Sequence, residues 1–305
     1  MGHRVSILMS TFNGGDFLSE QLDSLIGQSY KDTQIYVRDD GSSDDSRQIL
    51  TRYASQYSGL RVEFGNNLGI TRSYFRLLSE ADQGSNYYAF CDQDDVWHAD
   101  KIERAVTRLS GNLAHIPAIY CSRLAYVGRD LSPLGRSRLP RRGLSFQNAL
   151  VENAAIGCTI VMNRAARDLI VKSLPSQCVM HDWWCYLVVS AFGVLVYDER
   201  PTIEYRLHGE NNTGAAVSPW DQFRRRAHRF AVKGRDAFSI HAQAMEFSAI
   251  FAGRLPAGKL EILNRLVESR RSVLKRIGYA LNPEVYRQSR LDGLLLRVLV
   301  LLYWY

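Results

Sequence analysis

Three carboxylates crowd into four residues at Asp92-Gln93-Asp94-Asp95, directly after the run Tyr87-Tyr88-Ala89-Phe90-Cys91 and before Val96-Trp97. Acidic groups this close raise one another's pKa unless a cation lies among them. Hard divalent ions such as Mg²⁺ and Mn²⁺ take oxygen ligands and are often shared between one or two carboxylates and a substrate's phosphates. The run therefore points to metal-assisted chemistry on a phosphorylated substrate; an acidic turn after an edge strand is the plainer reading. A second acidic pair, Asp39-Asp40, precedes Gly41-Ser42-Ser43-Asp44-Asp45.

The elements that must carry these residues can be read from periodicity. Arg4 to Thr11 predicts a buried strand, and Phe17, Leu18, Leu22, Leu25 and Ile26 fall on one face of a following helix. Gln34 to Arg38 predicts a second strand, and Ser43 or Asp44 is placed to cap the helix carrying Ile49, Leu50 and Tyr53. Leu60 to Phe64 reads as a third strand, Asn66 to Gly69 as a turn, and Ser73 to Glu80 as helix. A strand ends at Asp92 and a helix runs from about Asp100 to Leu109. Strand alternating with helix at this spacing predicts an α/β fold with a mostly parallel, doubly wound sheet. Ligands bind such sheets at the carboxyl ends of the strands, where both acidic clusters fall. No G-x-G-x-x-G follows the first strand, and neither a Walker A nor a G-x-S-x-G sequence is present. Dinucleotide, P-loop and serine-hydrolase sites are thereby set aside.

Composition agrees with a globular enzyme. The 305 residues are 46% hydrophobic and 23% charged, and no apolar stretch reaches the ~20 residues of a membrane-spanning helix. Five cysteines, odd in number and with no C-x-x-C pair, predict reduced thiols in a cytosolic protein. Val5 to Phe12 is too short for the apolar core of a signal peptide. Charge divides the chain. Residues 1–218 hold 22 Lys and Arg against 24 Asp and Glu, a net of −2, and residues 219–305 hold 16 against 7, a net of +9. The expected organisation is an α/β catalytic domain over 1–218 and a basic helical region over 219–305. Such a region usually meets nucleic acid or anionic membrane.

Ser10-Thr11-Phe12-Asn13, Arg38-Asp39-Asp40-Gly41-Ser42-Ser43-Asp44 and Asp92-Gln93-Asp94-Asp95-Val96-Trp97 stand in the order and spacing of family 2 inverting glycosyltransferases. His181-Asp182-Trp183-Trp184 and Tyr205-Arg206-Leu207-His208-Gly209 continue the match. The sequence resembles that family over roughly residues 4–215, and its motif variants are similar to the bacterial rhamnosyltransferase branch that builds cell-wall and O-antigen polysaccharides. The resemblance implies the A-type glycosyltransferase fold, Rossmann-like, with a C-terminal helical extension. It implies metal-dependent transfer of L-rhamnose from dTDP-β-L-rhamnose to a hydroxyl of a lipid-linked glycan. The alternatives are another donor, such as a UDP-hexose or UDP-N-acetylhexosamine, or a non-catalytic glycan-binding protein of the same fold.

By resemblance, Ser10 lines the nucleotide base, Asp40 accepts the N3–H of a uracil or thymine ring, and Arg72 with Ser73 helps hold nucleotide. Asp94 ligates Mg²⁺ or Mn²⁺ across the diphosphate and Asp92 sits near the ribose. Asp95 orients the metal's water or contacts the sugar, and Trp97 offers a ring face to sugar, although a core tryptophan is the commoner use. The family often has Pro shortly after this Trp, whereas His98-Ala99 stands here. Asp182 is the candidate general base. One carboxylate suffices, because the departing nucleoside diphosphate is stabilised by metal rather than by an acid. His181 shapes the pocket. Of Trp183 and Trp184, one packs in the core and the other stacks on the acceptor. Arg206 clamps the diphosphate and His208 joins the metal. Gly209, Gly214, Asn211 and Asn212 continue that loop.

Arg224, Arg225, Arg226, Arg229, Lys233 and Arg235 flank Phe223, Phe230, Val232 and Phe238, the pattern of a basic amphipathic helix in an anionic membrane interface. The expected location is cytoplasmic, peripheral on the inner face of the membrane. Helices packed on the catalytic domain are the alternative. Nucleic acid is not an expected partner, since the strand ends are acidic and no recognition motif is present.

Overall fold

Val5–Thr11 holds seven residues without a charge, and all but Ser10 are buried. Such a run suits a strand covered on both faces, and it forms the inner strand of the main sheet. A computed structural model of the protein describes residues 3–113, 115–208, 239–281 and 283–305. The basic stretch from Phe223 to Phe238 and the loop residues Gly209, Asn211, Asn212 and Gly214 lie outside the described residues.

In chain order the elements are β1 (Val5–Thr11), α1 (Gly15–Ile26), β2 (Thr33–Asp39), α2 (Ser46–Gln56), β3 (Leu60–Phe64), α3 (Ile70–Glu80), β4 (Tyr87–Cys91), β5 (Val96–Trp97) and α4 (Lys101–Leu109). They continue with β6 (Ala118–Ser122), β7 (Ala125–Val127), β8 (Pro133–Arg136), α5 (Phe146–Ala149), β9 (Val161–Asn163), α6 (Arg164–Val171), α7 (His181–Phe192), β10 (Val194–Asp198) and β11 (Ile203–Arg206). The last are α8 (Ile240–Phe251), α9 (Ala257–Glu268), α10 (Val273–Leu281) and α11 (Arg290–Leu301).

The chain divides into two units. The first takes residues 3–139, 155–172 and 193–208; the second takes 140–154, 173–192 and the described residues from 239 on. The C-terminal helices are thus joined in space by two segments from the middle of the chain, His181 to Trp184 among them.

In the first unit, a seven-stranded sheet has the order β10-β6-β9-β4-β1-β2-β3. β1 pairs in parallel with β2 and β4, β2 with β3, and β6 with β10, while β9 runs antiparallel to β4 and β6. The expected mostly parallel sheet is present with one reversed strand. Aliphatic side chains from β1, β2 and α1 (Ile7, Met9, Val37, Leu18, Leu22, Leu25) form its core. A second sheet, β5-β11-β7-β8, is built from strands of two to four residues, too short to leave a periodicity in the sequence. In it β11 lies antiparallel to β5, with Ile203 opposite Trp97.

In the second unit α7 is buried on nearly every side, as its run of apolar residues requires. α7 packs on α5, α8 on α9, α9 on α10 and α10 on α11. Trp184 is fully buried, 5.9 Å from the Phe247 ring and 6.3 Å from Phe251. It is the tryptophan of the pair that packs in the core. Trp183 is half-buried, and its Nε1 donates to Ala149 O at 2.6 Å.

Candidate active site

Parallel pairing places the ends of β4, β1 and β2 side by side, with Met9 opposite Cys91, Ser10 opposite Arg38 and Thr11 opposite Asp39. The loops that leave these three strands therefore share one edge of the sheet, and they are stitched together. Asn13, in a left-handed conformation at φ 49°, donates its N–H to Ser42 Oγ at 2.9 Å and accepts from Ser43 N–H at 2.9 Å. Gly14 N–H donates to Ser46 Oγ and Gly15 N–H to Asp44 Oδ2, each at 2.9 Å. The N-cap of α2 is Asp45 rather than the expected Ser43 or Asp44, and Asp44 Oδ1 accepts the N–H of Ser46, the first helical residue, at 3.1 Å.

Gln93 is the residue that sequence reasoning passed over. Its Oε1 accepts from Thr11 Oγ1 at 2.7 Å and Phe12 N–H at 2.8 Å, and its Nε2 donates to Phe12 O at 3.2 Å. A Cβ on Gly14 would meet Gln93 Cδ at 2.5 Å, so glycine there lets the amide reach the β1 end. The amide between carboxylates was the available signal. Tyr74 also escaped notice. Its hydroxyl donates to Cys91 O at 2.7 Å and Asp92 Oδ1 at 2.9 Å, holding the half-buried Asp92.

Beneath the acidic loop lies Lys101, fully buried at the start of α4. Its ammonium donates to Cys158 O and sits 4.0 Å from the Trp97 ring centroid. Burial pulls its pKa down to about 8, while Cys158, Cys91, Asp95 and Asp92 work to raise it. Asp95 is fully buried, and burial with the nearby Asp94 and Asp92 charges pushes its carboxyl well above the usual range. Its Oδ1 accepts Arg206 N–H at 3.1 Å. Ligand atoms of Asp92, Asp95 and Cys158 lie within 4.8 Å of one another, and burial drives the Cys158 thiol far up. Asp95 braces the loop from within, and Trp97, at 3% exposure, is core under the Lys101 ammonium.

Asp94 is the loop's outward carboxylate, and its Oδ2 lies 2.7 Å from His208 Nε2. The second sheet makes this meeting across more than a hundred residues. β11 ends at Arg206 beside the acidic loop, and His208 follows it. Arg206 is almost fully buried. Its Nε donates to Asp94 O at 2.9 Å, one terminal nitrogen to Arg129 O, and the other to Glu20 Oε2 at 2.5 Å. It also lies 4.6 Å over the Phe17 ring, whose other neighbours are Arg129 at 4.8 Å and His208 at 5.1 Å. The guanidinium bonds protein at each of these nitrogens, and through Asp94 O it holds the acidic loop. Replacing Arg206 with Lys, a single point donor that cannot satisfy a fork, should weaken Mn²⁺-dependent donor binding about 10–100-fold. Calorimetry with Mn²⁺ would read this; parental affinity in that variant would remove the positioning role.

A carboxylate oxygen and an imidazole nitrogen converging at hydrogen-bond distance are a donor set that suits Mn²⁺ or Mg²⁺. Asp94 and His208 therefore fit the implied cation.

Asp40 is buried, and both of its carboxylate oxygens accept hydrogen bonds. Oδ1 accepts from an Arg38 terminal nitrogen and from Leu68 N–H at 2.7 Å; Oδ2 accepts Gly69 N–H at 2.9 Å. The neighbouring Gly41 has φ 91° and leaves 3.1 Å between its would-be Cβ and Asn67 N, letting the two loops close. Through these bonds Asp40 pins the Asn66–Gly69 turn. Asp39, fully buried, accepts from Arg47 Nε at 2.8 Å and supports its own turn. Ser10 is half-buried and donates to Ser73 Oγ at 2.6 Å, and Arg72 is exposed on the first turn of α3, which begins at Ile70 rather than Ser73.

In the second unit, Asp182 stands in the first turn of α7, where the helix dipole favours negative charge, and its Oδ1 accepts Trp183 N–H at 2.7 Å. His181 beside it is fully buried, and burial pushes its pKa down to about 3, so the imidazole is neutral.

The pattern described as glycosyl transferase family 2 matches residues 6–170. The dTDP-rhamnosyl transferase RfbG of Shigella flexneri is 31% identical over 227 residues, which is 69% of this chain and 75% of that protein. Among solved structures, S. aureus TarS 1–349 in complex with UDP-GlcNAc aligns with a TM-score of 0.63 at 16% identity, covering 98% of this chain and 81% of that one. The mannosyltransferase PcManGT from Pyrobaculum calidifontis, in complex with GDP-Man and Mn²⁺, aligns with a TM-score of 0.52 at 14% identity over 99% and 88%. The expected A-type fold with C-terminal helices is the one these structures share.

Proposed function

The chain belongs to glycosyl transferase family 2, and within that family we propose that it moves L-rhamnose from dTDP-β-L-rhamnose to a hydroxyl of a lipid-linked glycan, with inversion and a divalent cation. The observation that carries the chemistry is the 2.7 Å approach of Asp94 and His208 at the carboxyl edge of the sheet. The choice of rhamnose is supported by the 31% identity to RfbG.

Asp94 and His208 would hold Mg²⁺ or Mn²⁺, which when bound offsets the charge gathering on the departing diphosphate. Asp92, fixed by Tyr74, is assigned to the ribose, and Ser10 and Arg72 to the nucleotide. Asp182 is assigned as the base that takes the acceptor hydroxyl's proton as its oxygen attacks the anomeric carbon opposite the diphosphate. Trp183 is the aromatic assigned to the acceptor. No helix among the described residues is long and apolar enough to cross a membrane. The proposed location is the cytoplasmic face of the membrane, where lipid-linked acceptors present their sugars.

Calorimetry with dTDP-rhamnose, UDP-GlcNAc and GDP-mannose, with and without Mn²⁺, tests the donor. Mn²⁺-dependent binding of dTDP-rhamnose at least about tenfold tighter than of the others, a difference of roughly 1.4 kcal/mol, is expected. A preference for a UDP-sugar would keep the family and discard rhamnose.

A further inference from the structure

Helix α11 turns its apolar stripe outward. Leu291, Leu294, Leu295, Val298, Leu301 and Leu302 recur at three- and four-residue steps, and all are exposed, Leu291 at 79% and Leu294 at 59%. Only Leu296 and Val300 of this helix are buried. An amphipathic helix on a globular protein normally buries that stripe. Its neighbour α10 does the same: Val273, Leu274, Ile277 and Leu281 are exposed, Leu274 at 82%, while Tyr279 and Ala280 are buried. The two helices pack on each other, so two outward apolar stripes stand on adjoining elements of one unit. A concentration of exposed leucines on this scale marks an interaction surface.

Charge and aromatic residues identify the partner. Residues 270–305 hold seven Lys and Arg against two acidic residues, a net of +5. Arg271, Lys275, Arg290 and Arg297 are exposed. Tyr303 and Trp304 follow α11 with 43% and 44% exposure, and Arg270 and Arg276 lie 4.8 and 4.7 Å over the Tyr303 ring. Leucines with aromatic residues at their edge and cations around them match the layers of an anionic bilayer surface, from acyl chain to interface to headgroup. A second copy of this face would set like charges against each other. The 12 residues of α11 span about 18 Å, short of the ~30 Å hydrocarbon layer, which suits a helix lying in the interface plane.

We propose that the face formed by α10 and α11 docks this protein on anionic lipid through these exposed side chains. The proposal deepens the membrane part of the reading above and is independent of the donor sugar. The test is co-sedimentation of the full chain with phosphatidylglycerol and phosphatidylcholine vesicles, for the parent and for Leu294→Asp with Val298→Asp. The parent should bind phosphatidylglycerol vesicles at least about tenfold more tightly than phosphatidylcholine, and the double variant should lose about tenfold or more of that binding. Both replaced side chains are exposed, so thermal melting should match the parent; Leu274→Asp on α10 is the second variant, with the same expected loss. Donor binding by calorimetry should be unchanged in both, which separates failure here from failure of the donor reading. No vesicle binding by the parent, or full binding by the variants, overturns the proposal. So does a parental dimer that these variants split in sedimentation while vesicles go unbound.

Discussion

Asp94→Asn should lower kcat/KM for glycosyl transfer about 10³-fold, because it removes a carboxylate from the proposed cation site while keeping the side chain's shape. The loop should hold, since its ties run through other atoms. Gln93 bonds the end of β1, Tyr74 holds Asp92, and Arg206 grips the Asp94 backbone carbonyl rather than its side chain. Structural loss is therefore not the expected cause of the defect. The diagnostic readout is Mn²⁺ linkage. Ligand at about 100 times its Kd stabilises a folded protein by roughly 2.7 kcal/mol, so Mn²⁺ with donor should raise the parent's Tm clearly and chelation should reverse it. The variant should show little of that rise. A variant with the parent's Mn²⁺-dependent donor affinity would remove Asp94 from the metal site and leave His208 without its role.

Asp182→Asn should cut kcat about 10²–10⁴-fold, the usual contribution of a positioned general base, and leave donor affinity within about twofold. Asparagine still offers an oxygen to the Trp183 N–H, so the first turn of α7 keeps that contact and the fold is preserved. His181 cannot substitute as base: with its pKa pushed down to about 3 it stays neutral but deeply buried, with no exposed nitrogen to meet an acceptor. Single-turnover measurement with saturating donor and acceptor separates the chemical step from binding. Near-parental kcat would sink the base assignment and turn attention to another group facing the acceptor. Taken together the two variants divide the reaction, one failing at donor engagement and the other after it.

The alternation of β1, α1, β2, α2 and β3 was legible in the sequence, because a covered strand is a continuous apolar run and an amphipathic helix repeats its leucines every turn. The placing of Asp39-Asp40 and Asp92 to Asp95 at strand carboxyl ends followed from that alternation alone. The second sheet was not legible. Its strand β11 is held by partners 79 or more residues away, such as Tyr126 beside Tyr205, and two to four residues carry no period. That sheet is what brings His208 to Asp94.

Residue type by itself pointed to the groups proposed for the chemistry: carboxylates and an imidazole for a cation, and Asp182 to take a proton. Tertiary structure decided how each of them is held. Asp40, Arg206 and one oxygen of Asp95 bond the turn at Asn66–Gly69 and the acidic loop. Trp97 and Trp184 have suitable rings and are closed into cores. Burial and competing hydrogen bonds depend on residues distant in sequence, so motif spacing cannot report them. The same reason applies in reverse at the C-terminus, where the leucine stripe of α11 is plain in the sequence and only packing reveals that it faces outward.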